Sequence, residues 1–147
     1  MPADKNPTKV AITYNGATVT KNQSMSVNPY YEFRTTNVTV KLLDSNGNTL
    51  DGGTAQYRAG GWRVFGDGKA NSSMELLPAT YTFEVSYAGA TQTQDVDIKD
   101  TDKEVEVVFQ TTKVTVKLLD SKGNPLDGGT AQYRASGWRA FGDGKAN

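Results

Sequence analysis

Two stretches of the chain combine aromatic and basic side chains. The segment Gln56-Tyr57-Arg58-Ala59-Gly60-Gly61-Trp62-Arg63-Val64-Phe65 recurs at residues 132–141, where Tyr133, Arg134, Trp138 and Arg139 hold the corresponding places. Aromatic faces flanked by guanidinium groups can stack on sugar rings and hydrogen-bond their hydroxyls. Tyr, Trp and Arg also dominate the energetics of protein contacts. The competing reading puts the rings in a core and leaves the arginines on the surface. A third stretch, Asp44-Ser45-Asn46-Gly47-Asn48-Thr49-Leu50-Asp51, places oxygen donors at alternate positions, as calcium loops do. Its glycine stands fourth rather than sixth, and the terminal bidentate Glu is missing. Asn-Gly between two apolar runs signals a hairpin turn. The second copy has Lys122 in place of Asn46, and a cation at a ligand position argues against calcium. The segment is therefore expected to be a turn, and no metal or cofactor is expected.

Enzymatic chemistry finds little support. The chain has no His and no Cys, which removes the usual general base, Ser-His-Asp and Cys-His nucleophile systems, thiolate metal sites and disulfides. The acid pairs Asp95/Asp97 and Glu104/Glu106 each sit two residues apart, on one exposed face of a strand. The chain is read as a non-enzyme. Sixteen basic and sixteen acidic residues balance, which argues against nucleic acid or a polybasic membrane contact. No apolar run approaches the roughly 18 residues of a membrane helix, so no membrane insertion is expected. The opening residues, Met1-Pro2-Ala3-Asp4-Lys5, carry no apolar signal core, so an exported chain is expected in mature form.

The elements that must position these residues are strands. Val38, Val40 and Leu42 share a face, with Thr39 and Lys41 opposite. Tyr81, Phe83, Val85 and Tyr87 alternate with Thr82, Glu84 and Ser86. Val96/Ile98, Val105/Val107/Phe109 and Val10/Ile12/Tyr14 follow the same period of two. Turn signals separate them: Asn46-Gly47, Asp51-Gly52-Gly53, Gly66-Asp67-Gly68 and Ala88-Gly89. No helix is convincing, and residues 73–77, the best short candidate, read equally well as a strand. Strands at this spacing indicate an all-β sandwich or barrel.

The strongest feature is an internal repeat. Residues 35–71 and 111–147 are identical at 32 of 37 positions, at an offset of 76. A weaker match relates residues 10–16 (VAITYNG) to 83–89 (FEVSYAG) at an offset of 73, and residues 32–36 to 108–112 at an offset of 76. The order along the chain is back half, front half, back half, front half. The expected divisions are 1–34 as the back half of a split repeat, 35–110 as a complete sandwich, and 111–147 as a front half.

The continuous unit resembles the carboxypeptidase-regulatory-like and transthyretin-like β-sandwich, an architecture shared by the collagen-adhesin B-type stalk domains of bacterial surface proteins. The residues that carry the resemblance are Asp44-Ser45-Asn46-Gly47 followed by Leu50-Asp51-Gly52-Gly53, and Leu77-Pro78-Ala79-Thr80-Tyr81-Thr82-Phe83. The stretch GDGKANSSM at residues 66–74 departs from the family pattern of an Asp-x-x-Gly turn before an apolar strand. The resemblance implies an Ig-like, seven-strand Greek-key unit, repeated in tandem on extracellular or cell-surface proteins. It also raises an internal Lys–Asn or Lys–Asp isopeptide bond assisted by a buried acid, with Lys41, Lys117 and Glu84 in the relevant strands. Lys41 lies opposite the apolar face, and Gln110 stands where an Asn is wanted, so a solvated lysine is expected.

A sandwich cannot leave half its strands unpaired, because open apolar edges template pairing with another chain. Two closures present themselves. The two halves of one chain meet, or the front half of one molecule completes the back half of the next, a non-closing contact that builds filaments. Entry at Val38 and exit near Gln110 at opposite poles favours the second. The expected function is a structural surface repeat that self-associates head to tail, through Val10, Ile12, Tyr14, Phe33, Val114, Val116 and Leu118. The rival readings are a carbohydrate-binding or adhesive module using the Tyr-Arg-Trp-Arg segment, with a glycan or surface protein as partner, and a passive spacer.

Overall fold

The computed structural model describes residues 8–23 and 30–147, and every described element is a strand. In chain order these are β1 (Thr8–Tyr14), β2 (Ala17–Gln23), β3 (Thr36–Leu43), β4 (Thr54–Arg58), β5 (Trp62–Lys69), β6 (Ser72–Leu76), β7 (Ala79–Tyr87), β8 (Ala90–Ile98), β9 (Glu104–Gln110), β10 (Thr130–Arg134) and β11 (Trp138–Lys145). Residues 73–77 thus fall mostly in β6.

Strands β3 to β9 form one complete unit of two sheets, ordered β6-β3-β9 and β5-β4-β7-β8. β3 runs antiparallel to β6 and parallel to β9, with Val38 opposite Val105 and Leu42 opposite Phe109. In the second sheet β7 lies between β4 and β8, with Tyr57 opposite Phe83 and Tyr81 opposite Val96. The period of two becomes burial directly. Along β3, Thr36, Val38, Val40 and Leu42 are buried and their neighbours are half-exposed. Tyr57, Phe65, Tyr81 and Phe83 meet in the core, with ring centroids 5.8–6.1 Å apart and three of the four pairs edge-on. This is the geometry that the ring quadrupoles favour. The Tyr81 hydroxyl donates to the Leu77 carbonyl at 2.6 Å, and burial pushes its pKa up to about 12.

The outer faces absorb the charged residues. Lys41 pairs with Glu106 at 2.7 Å. Glu84 accepts from Gln56 on the other sheet, so the two isopeptide candidates lie on opposite outer faces. Asp95 and Asp97 accept from Thr82 and Thr80, their cross-strand partners. The Asp44 carboxylate closes its own turn, accepting from the backbone N–H of Asn46 and of Asn48, each at 2.9 Å. Asp120 repeats this with Lys122 and Asn124, and these backbone donors hold its carboxyl below the usual range.

The flanking segments keep the conformation of the matching parts of the complete unit. β1 and β2 form a hairpin, as β7 and β8 do. β10 and β11 pair in the register of β4 and β5, including the irregularity near their start. Tyr133 meets Phe141 edge-on at 6.2 Å, as Tyr57 meets Phe65 at 6.1 Å. One expectation fails here. Residues 112–119 nearly repeat the sequence of β3 but are not a strand, because among the described residues no neighbouring strand supplies the ladder that β6 and β9 give β3.

Asn71 shows how the front half holds its shape unaided. It sits at φ +70°, accepts from the Leu42 N–H at 2.8 Å and donates to the Leu50 carbonyl at 2.9 Å. Asn147 makes the same two bonds, to Leu118 at 3.2 Å and Leu126 at 2.8 Å.

Candidate functional site: a hairpin tip in a socket

The segment that stood out for its aromatic and basic content sits where one unit meets the next. Tyr57 packs its ring in the core and is 2% exposed. Its hydroxyl reaches out of the core and donates to the Asn15 carbonyl at the tip of the β1–β2 hairpin, at 3.0 Å. The Asn15 side chain in turn donates to the Glu75 carbonyl at 3.1 Å. Arg63 folds back so that Nε donates to the Ala59 carbonyl at 2.9 Å, and the Ala59 N–H donates to the Gly61 carbonyl at 2.9 Å. These groups make a rigid socket with Tyr57, Ala59 and Arg63 on its wall. Burial pushes the Tyr57 hydroxyl above its ordinary pKa, while the Arg63 cation pulls it back.

The tip fits because of its backbone. Asn15 and Gly16 have φ of +50° and +87°, the two positive values of a two-residue hairpin turn whose twist matches its strands. A Cβ on Gly16 would stand 2.5 Å from Arg63 Nε and 2.6 Å from the Ala59 carbonyl oxygen. Only glycine lets the turn come this close. Behind the tip, Ala17 is buried and Val19 packs against the core of the complete unit.

The same joint occurs a second time. Tyr133 donates to the Ala88 carbonyl at the tip of the β7–β8 hairpin, at 2.8 Å. Arg139 Nε donates to the Ala135 carbonyl at 2.9 Å. Ala88 and Gly89 have φ of +52° and +86°, and a Cβ on Gly89 would meet Arg139 and stand 2.5 Å from the Ala135 carbonyl oxygen. Ser136, which replaces Gly60, adds a bond to the Gly89 carbonyl at 3.1 Å. The back half of each unit therefore enters the front half of the next in one and the same way.

The remaining residues singled out from the sequence divide by place. Arg58 and Arg134 are exposed, and each faces a tryptophan across its hairpin. Trp62 and Trp138 are 45% and 64% exposed. Val10 is half-buried, and Ile12 and Tyr14 on β1 are exposed. Phe33 is half-buried outside any strand, beneath the Lys21 ammonium, 4.9 Å from the ring centre. Val114, Val116 and Leu118 are exposed and outside any strand.

From the sequence, Ala88-Gly89 reads only as a turn and Asn15-Gly16 only as part of the weak repeat match. Their signal was present: Tyr14-Asn15-Gly16 aligns with Tyr87-Ala88-Gly89, each ahead of a Tyr-Arg-Ala segment. Their function stayed hidden because the tip is recognised through backbone carbonyls. A cleft of about 470 Å³ opens where β2 and residues 32–34 face the complete unit, lined by Lys21, Phe33, Pro78, Ile98 and Asp100 among others. Among the described residues, no cluster of acidic side chains could hold a metal ion. No protein-family model matches the chain, and no curated protein matches it.

Proposed function

We propose that the chain is a structural tandem repeat that builds a stiff, extended rod, of the carboxypeptidase-regulatory-like and transthyretin-like kind carried on bacterial cell surfaces. The back half of each unit carries a hairpin whose tip plugs the socket of the following unit. The observation that carries this reading is the recurrence of one joint at two places, with the same tyrosine-to-carbonyl bond and the same glycine approach. A flexible string of beads would need no glycine pressed against a backbone carbonyl. The work is mechanical, so the reading involves no enzyme activity and no cofactor.

Backbone ¹⁵N relaxation tests it. Amides of β1–β2 should tumble with β3–β9, with order parameters near 0.85. Order parameters below about 0.6 across the hairpin would contradict the rod.

The exposure of both Trp62 and Trp138 favours one second reading, an adhesive surface that recurs once per unit. A glycan array with the wild type and with Trp62→Ala and Trp138→Ala tests it. Absence of wild-type binding removes that reading and leaves the rod untouched.

A further inference from the structure

We infer that the joint is held by either of two interchangeable latches, and that Ser136 is the residue that lets a socket take a hairpin tip bringing no latch of its own. The inference rests on the rod reading of the joint and adds to it which tip each socket fits. At the first joint the latch belongs to the tip: the Asn15 side chain donates to the Glu75 carbonyl at 3.1 Å. The socket residue beside that tip is Gly60, which offers no side chain. At the second joint the tip begins with Ala88, which has no donor beyond its backbone. There the latch belongs to the socket: the Ser136 hydroxyl donates to the Gly89 carbonyl at 3.1 Å.

Backbone strain sets Ser136 apart from an ordinary surface substitution. Among the described residues, the non-glycines with positive φ are Asn15, Asn71, Ala88 and Ser136. Asparagine visits this region readily, because its short polar side chain can hydrogen-bond locally. Serine and alanine do not, yet Ala88 and Ser136, both at +52°, lie on the two sides of one joint. Gly60 holds the matching place in the first socket at +68° without that strain. A strained residue persists where its surroundings over-determine it. For Ser136 the surrounding is the Gly89 carbonyl that its hydroxyl reaches.

The first joint has room for the same latch. A Cβ on Gly60 would stand 3.9 Å from the Gly16 carbonyl oxygen and meet nothing else within 4 Å. Gly16 holds the place in its turn that Gly89 holds in the other. A hydroxyl one bond beyond that Cβ can donate to the carbonyl at ordinary hydrogen-bond distance. The two latches end on different atoms, the Glu75 carbonyl for Asn15 and the carbonyl of the turn glycine for serine. A serine socket therefore accepts tips with or without a side-chain donor, whereas a glycine socket favours an asparagine tip. The partner that Ser136 fits is a hairpin whose turn is any left-handed residue followed by glycine.

Amide hydrogen exchange on the full chain tests this. Asn15→Gly keeps the left-handed turn and the carbonyl that Tyr57 grips, and removes only the side-chain latch. One hydrogen bond corresponds to about fivefold in the docking equilibrium, so exchange along β1–β2 should speed up about fivefold. Gly60→Ser added to Asn15→Gly should bring the rate back to within about twofold of the wild type, whereas Gly60→Ala added instead should not. Serine and alanine carry the same backbone strain there, so their difference reads the hydroxyl alone. Ser136→Ala likewise keeps the strain and loses the hydroxyl, and should speed exchange along β10–β11 about fivefold. Continued protection of β3–β9 reports that the complete unit is folded in each variant. Equal rates in the serine and alanine double variants overturn the inference, as does unchanged exchange along β10–β11 in Ser136→Ala. A protected β1–β2 hairpin indifferent to Asn15→Gly overturns the latches alone and leaves the rod standing. A wild-type hairpin that exchanges like an undocked one removes the joint beneath them.

Discussion

Gly16→Ala isolates the joint when set beside Gly47→Ala. Both glycines sit at φ +87°, so both substitutions carry the same left-handed backbone strain, roughly 1–2 kcal/mol. They differ in what the new Cβ meets. At Gly47 nothing lies within 4 Å. At Gly16 the Cβ stands 2.6 Å from the Ala59 carbonyl oxygen, a backbone atom that cannot swing aside. The tip must therefore leave the socket. It then forfeits the Tyr57–Asn15 and Asn15–Glu75 hydrogen bonds. At about 1 kcal/mol each these amount to about 2 kcal/mol, or roughly 30-fold in the docking equilibrium. An isolated two-stranded hairpin is only marginally stable in water, so an undocked β1–β2 frays. Amide hydrogen exchange reads this residue by residue. Gly16→Ala should speed exchange along β1–β2 about 30-fold and leave β3–β9 protected. Gly47→Ala should weaken the complete unit and leave docking alone. Equal effects of the two substitutions on the hairpin would refute the reasoning.

Three further outcomes are expected. Val40→Ala should cost about 2 kcal/mol in urea unfolding of the complete unit, from lost burial and the cavity left behind, whereas Val116→Ala at the matching place should cost under about 0.5 kcal/mol, because Val40 is 1% exposed and Val116 37%. Asn71→Gly keeps the left-handed backbone but strands the Leu42 N–H and the Leu50 carbonyl, and should lower unfolding stability by about 1–3 kcal/mol. Tyr81 titrates at about 12 in the folded chain against roughly 10 unfolded, so the folded state holds the proton more tightly. Its contribution is complete below pH 10 and is lost as pH rises from 10 to 12, by about 2–3 kcal/mol; denaturation across that range should show a smaller alkaline loss for Tyr81→Phe than for wild type.

Most of the fold is legible in the residues because it is written in a period of two. The alternation of Tyr81, Phe83 and Val85 with Thr82 and Glu84 marks both a strand and its inward face, and the ladder between β7 and β8 follows from the turn at Ala88-Gly89. Residues 112–119 mark the limit of that logic. They share the alternation of β3, yet a strand is a property of two paired segments, and among the described residues the second is missing. Asn71 escapes notice for another reason. It reads as a turn residue, and its two bonds go to backbone groups that leave no trace in side-chain pattern. The joint shows the same blindness. The aromatic and basic content of Tyr57–Arg63 is conspicuous, but the groups that Tyr57 and Arg63 grip are the carbonyls of Asn15 and Ala59.

The central claim, a rod with a fixed joint, is open to distance measurement between spin labels, since every cysteine would be an introduced one. Asn22 on β2, Thr93 on β8 and Lys122 in the second front half are all exposed. Double electron–electron resonance on Asn22→Cys/Thr93→Cys and on Thr93→Cys/Lys122→Cys reports the first and second joints separately. Rigid joints predict one narrow distance peak for each pair, broadened for the first when Gly16→Ala is added. A broad distribution spanning tens of ångströms in the unmodified joints would contradict the account.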